Sequence, residues 1–157
     1  MKPTVYLETT IISYLTSKPS RDLIVAGHQQ ITHEWWQTAR PSFAAVSSQL
    51  VAREAGAGDA EAAAACLAFL TGLTLLEISE EALTLTQRLL QSKALPQEFP
   101  EDALHVAVAV VNGIEYLLTW NSKHLANAGM RRKIEATCRE LGYEAVVICT
   151  PEELMEV

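Results

Sequence analysis

The sequence has little that would place the protein in an oxidising compartment or in a membrane. Its 157 residues include three cysteines, Cys66, Cys138 and Cys149, far apart and without a CxxC pair. That argues against a disulfide framework and reads as buried free thiols in a reducing cytoplasm. No apolar run reaches the roughly 18 residues of a membrane span. The N-terminus has one lysine but no apolar signal region or small-residue cleavage site. The expectation is a soluble, cytoplasmic protein with no membrane partner. Positive charge is also scarce: 12 Lys and Arg against 19 Asp and Glu leave a net charge of -7. Such a chain does not coat nucleic acid by bulk charge. A nuclease remains open, because a bound divalent metal neutralises acids that would otherwise repel phosphate. Aromatic residues are only 6% of the chain, and the apolar half is mostly small aliphatics.

What is present has the length of one domain over residues 1–157, since two halves would each be short of core. TVYLE at 4–8 reads as a buried strand. Thr9 or Thr10 then offers an N-cap for a helix through IISYL, which leaves Glu8 free of capping. A helix restarts after Pro19–Asp22 and runs along one apolar stripe to Ala39, with Trp35 and Trp36 as core or as part of a partner groove. A short strand at 43–46 precedes a serine cap and a helix carrying Glu54. Asp59 caps the alanine-rich AEAAAACLAFL, GLTLLEIS is a strand, and Ser79 starts a helix through Leu90. The loop KALPQEFPED follows. Pro100, Glu101 and Asp102 suit the first turn of an apolar helix that ends at Asn112-Gly113. IEYLLTW is a strand, an amphipathic helix runs to Gly142, EAVVICT is the last strand and PEELM a final helical turn. Uniformly apolar strands alternating with helices call for a parallel sheet covered on both faces.

In open parallel sheets, ligands bind outside the carboxyl ends of the strands. Glu8 ends the first strand, Asn121 follows the fourth, Asp102 opens the helix before that strand, and Glu54 lies on the helix after the second. Carboxylates brought close together repel unless a cation holds them, and oxygen ligands suit Mg²⁺ or Mn²⁺. Each residue also has a plain structural role open to it: dipole stabilisation for Asp102, solvation for Glu54, and capping for Asn121. Glu8 is the exception, because an unpaired charge at the end of a buried strand is costly. His105, Trp120, Lys123 and His124 fall near the same edge. His124 either contacts phosphate or caps a turn. Thr9 and Thr10 either bond a ligand carboxylate or cap. Arg131-Arg132-Lys133 meets an RNA backbone or forms a solvated face.

VYLETTIISYL, SSQLVAREAGAGD, EDALHVAVAVVNGIEYLLTWNSKHLAN and VVICTPEEL together resemble the PIN-domain family, and within it the VapC-like proteins of bacterial toxin–antitoxin systems. The resemblance runs from residue 4 to about 154. It implies a three-layer α/β/α, RNase H-like fold with a parallel sheet of four to five strands. It also implies a Mg²⁺- or Mn²⁺-dependent endoribonuclease, usually a homodimer and held by an antitoxin protein. Carried over position by position, Glu8, Glu54, Asp102 and Asn121 take the catalytic places. Glu8 and Asp102 would hold the metal, with Thr9, Thr10 and His124 in support. Two positions depart from the pattern: Glu8 stands where the family keeps an aspartate, and Asn121 where it keeps a fourth acid. Those departures keep a second class in view, a PIN-like module that binds RNA or protein with weakened cleavage. A dehalogenase-type phosphohydrolase is disfavoured, because no second acid lies two residues after Glu8.

Overall fold

The computed structural model describes residues 1–155. It has five parallel strands in the order β3-β2-β1-β4-β5: β1 Thr4–Leu7, β2 Ala44–Ser48, β3 Thr74–Leu76, β4 Tyr116–Leu118 and β5 Val147–Cys149. Helices α1 (Thr9–Thr16), α2 (Leu23–Thr38), α3 (Gln49–Gly56) and α4 (Ala60–Leu70) pack on one another. Helices α5 (Glu80–Gln91), α6 (Pro100–Val111) and α7 (Ala128–Glu140) form a second set. Right-handed crossovers require this split, since the chain moves outward from β1 to β3, then returns across β1 to β4. The result is an α/β/α sandwich.

The central strand explains why the core is where it is. Val5, Tyr6 and Leu7 are fully buried, and β1 pairs with β2 on one side and β4 on the other. Helix α6 lies against the sheet with every residue from Ala103 to Val110 buried. Its alternating alanines and valines let it approach closely, and each valine contributes about 1.5–3 kcal/mol of burial. Pro100 at its start needs no hydrogen-bond donor there, and Gly113 past its end takes φ +69°, which a side chain would resist. By contrast α4 buries only Ala63, Cys66 and Leu70 despite its alanine run. Trp35 is fully buried, while Trp36 is partly buried between Phe69 and the Arg40 guanidinium. All three cysteines are free and buried. Burial pushes the Cys138 thiol up to about 11 and the Cys149 thiol up to about 12. No helix among the described residues is long and apolar enough to cross a membrane.

Strand and helix bounds shift from the expected ones by one to three residues, the largest shifts trimming GLTLLEIS to 74–76 and EAVVICT to 147–149. PEELM forms turns over 151–154 rather than a regular helix. The larger difference is at α1, whose N-cap is Glu8 itself.

Candidate active site

The strand order reverses between β1 and β4, and their carboxyl ends open the crevice where this class of sheet binds ligands. Glu8 leaves β1 there, and its backbone N–H donates to Leu118 O at 3.1 Å, pinning it to the end of β4. Glutamate is not a favoured cap, because its longer side chain must fold back over the helix start. Here it does so. Oε1 accepts from Thr10 N at 3.1 Å, from Thr10 Oγ1 at 2.6 Å and from Thr119 Oγ1 at 2.7 Å. These donors offset the cost of burying a carboxylate that is only 5% exposed. Oε2 accepts no hydrogen bond from the described residues.

Glu54 sits in the last turn of α3, a helix capped by Ser48 at the end of β2. Its Oε1 accepts from Thr9 Oγ1 at 2.5 Å and pairs with His105 Nε2 at 2.6 Å. Burial opposes its ionisation. The hydrogen bonds from His105 and Thr9, with the charge of Arg53, outweigh that and hold its carboxyl below the usual range. Its Oε2 likewise has no partner among the described residues.

Asp102 lies in the first turn of α6. Its Oδ2 is 2.7 Å from His124 Nδ1, and its Oδ1 accepts from Asn121 Nδ2 at 3.2 Å. Asn121 is therefore oriented through both ends of its amide: Oδ1 accepts from His124 N at 3.2 Å and so caps the turn that follows β4. An aspartate at 121 would set oxygen against oxygen where this amide now donates. The Phe99 ring lies 4.4 Å from that of His124, centre to centre.

The structure thus brings Asp102, Asn121 and His124 into direct contact. Thr119 joins them to Glu8, since its hydroxyl also accepts from Asn121 N at 3.0 Å. Glu54 meets this group only through Thr9, the chain neighbour of Glu8. Thr9 and Thr10 bond the acids rather than capping α1. Lys123 is exposed, and Trp120 is buried beneath His28, whose ring stacks on it at 4.0 Å. Arg131 is engaged by Ile148 O and Glu153, which leaves Arg132 and Lys133 as the exposed part of the basic cluster. Sequence reasoning missed Thr119, Tyr6 and Ser48, which look like ordinary strand and cap residues. The one available signal was their place at or beside the ends of β4, β1 and β2.

The donors at this edge are carboxylate and amide oxygens, the kind that suits Mg²⁺ or Mn²⁺. Among the described residues, no three His, Cys, Asp or Glu side chains stand close enough to hold an ion in this arrangement. Both oxygens of Asp102 are already engaged, whereas one oxygen of Glu8 has no protein partner. The donors suit a hard cation in kind, and Asp102 would have to release His124 to bind one.

No family model and no curated protein matches the chain. Solved structures do. One is a toxin–antitoxin complex from Klebsiella pneumoniae, with a TM-score of 0.58 and 18% identity over 98% of this chain and 100% of that one. Another is VapBC2 from Rickettsia felis bound to a DNA fragment from its promoter, at 0.58 and 15% identity over 94% and 98%. At such identities the likeness is one of fold: the chain shares the α/β fold of chains in these two toxin–antitoxin complexes.

Proposed function

We propose that this chain is a metal-dependent endoribonuclease, the cytoplasmic toxin of a toxin–antitoxin pair, acting as a homodimer and held by an antitoxin protein. The observation that carries the reading is the assembly of Glu8, Asp102 and Asn121 at the carboxyl ends of β1 and β4, joined through Thr119. The likeness in fold to toxin–antitoxin complexes supports it. A bound Mg²⁺ or Mn²⁺ would polarise the scissile phosphate and lower the pKa of the attacking water. Glu8 and Asp102 would hold it. Glu54, whose Oε2 has no protein partner, would accept the proton of that water, and Asn121, which donates to Asp102, would orient it. His124, released from Asp102, is free to donate to a phosphate oxygen.

The test is cleavage of mixed RNA by purified protein with Mg²⁺ or Mn²⁺. Expected is cutting that chelation stops and that Asp102→Asn lowers on the order of 100-fold or more, the scale for losing one electrostatic group in a site. The pairing of Asp102 with His124 and Asn121 favours a second reading, a PIN-like module with weakened cleavage that binds RNA or protein. An inactive wild-type chain that gains cleavage as Glu8→Asp with Asn121→Asp would establish that reading instead.

A further inference from the structure

Behind Glu54 runs a buried line of polar groups that the nuclease reading does not use. Ser48, Tyr6 and His105 are at most 1% exposed, and they come from three separate elements. Tyr6 Oη is 2.7 Å from Ser48 Oγ and 2.6 Å from His105 Nδ1, and His105 Nε2 is 2.6 Å from Glu54 Oε1. The direction of each hydrogen bond follows from the donors available. Ser48 Oγ already accepts from Val51 N at 3.1 Å, as the cap of α3. Its own proton is therefore free for Tyr6 Oη. The Tyr6 hydroxyl, accepting from Ser48, then donates its own proton to His105 Nδ1. His105 Nδ1 becomes an acceptor, so the single ring proton sits on Nε2 and points at Glu54. Every donor and acceptor in the line is satisfied. The reverse order has no such solution: Ser48 Oγ would accept from both Val51 N and Tyr6, and its own buried proton would find no acceptor among the described residues.

We infer that Ser48, Tyr6 and His105 form a positioning relay for Glu54: they lock His105 as the Nε2–H form and fix Glu54 as an oriented acceptor through Oε1, which leaves its Oε2 without a protein partner. None of the three touches the reacting atoms. They act by holding the Glu54 carboxylate, together with the Thr9 hydroxyl at 2.5 Å. Such support of an acid through an outer hydrogen bond typically governs about 10- to 100-fold of a site's activity. The inference rests on the proposed nuclease only for what the relay serves; the proton order is a property of the chain alone.

Two measurements test it separately. The first is nitrogen-15 histidine NMR on the full-length protein. His105 is expected as a neutral ring protonated at Nε2, and Tyr6→Phe is expected to shift its Nδ1 signal while circular dichroism shows an intact fold. A His105 ring protonated at Nδ1, or protonated at both nitrogens, overturns the inference, as does a Tyr6→Phe protein with unchanged His105 signals. The second is a double-mutant cycle on RNA cleavage. Tyr6→Phe is expected to lower kcat about 10-fold with KM unchanged, and to add nothing once Glu54→Gln is present. Fully additive losses would overturn the relay, because they mean that Tyr6 acts other than through Glu54. A wild-type protein that cuts no RNA sinks the nuclease reading and leaves the NMR result to decide the relay.

Discussion

The candidate site contains two histidine–carboxylate pairs that look alike in distance and differ in setting. His105 and Glu54 stand 2.6 Å apart, and His124 and Asp102 stand 2.7 Å apart. The His105 side chain is 1% exposed and the His124 side chain 18%. His105 has both ring nitrogens engaged inside the protein, whereas His124 bonds Asp102 through Nδ1 and its Nε2 has no partner among the described residues. The first pair is a fixed support. The second is more open, and under the proposed function it is the pair that a cation or a phosphate would displace. Distance alone would have assigned them the same role, and the partners behind each ring separate them.

The largest effect should come from breaking the buried pair. His105→Ala removes a ring from the centre of α6, strands the Tyr6 hydroxyl and leaves Glu54 without its main donor. The expected cost is about 3 kcal/mol in urea unfolding, from the cavity and the unpaired groups together. His124→Ala should cost no more than about 1 kcal/mol, because its partner can turn to water. Equal losses from the two variants would erase the distinction between the pairs.

Next in size is Asn121→Asp. It replaces a hydrogen bond to Asp102 by a second carboxylate against the same oxygen. Without metal the variant should lose about 1–2 kcal/mol of stability, the scale of a lost hydrogen bond to a charged group. With Mn²⁺ it should gain affinity, since a cation relieves the repulsion that the amide now avoids. Calorimetric titration of Mn²⁺ into both proteins checks this; unchanged or weaker binding by the variant would show that residue 121 does not face the ion.

How much of this was legible beforehand follows from what each residue answers to. The parallel sheet could be read because TVYL, YLL and VIC are apolar on both faces, which only a doubly covered sheet permits. The position of the acids could be read because strand ends are set by that same pattern. Their partners could not. Glu8 was set apart from capping because two threonines follow it, yet its extra methylene reaches back to Thr10 N, and the threonine hydroxyls turn to the acids instead. Tyr6 and Ser48 meet across 42 positions and Tyr6 and His105 across 99, so no local pattern carries those contacts. The resemblance marked places for acids; His105 and His124 fall inside the stretches that carry it, but nothing local in those stretches says that each histidine pairs with one of the acids.

The smallest expected effect concerns acid, and it again separates the pairs. Glu54 is held below the ordinary carboxylate range in the folded chain, while in the unfolded chain it titrates near the ordinary value. Between those two values the unfolded state binds the extra proton, so stability rises with pH across that interval. The contribution is complete above the ordinary carboxylate pKa and is lost as pH falls through the lowered value. Stability measured by urea unfolding from neutral pH downward should therefore decline in the acid range, and Glu54→Gln should flatten part of that decline while leaving the rest. The flattening should be larger in the native background than in His105→Ala, because the His105 hydrogen bond is the leading cause that lowers Glu54. An identical acid slope in native protein and Glu54→Gln would mean that the buried pair holds no charge difference between folded and unfolded chains, and the contrast with Asp102–His124 would then rest on burial alone.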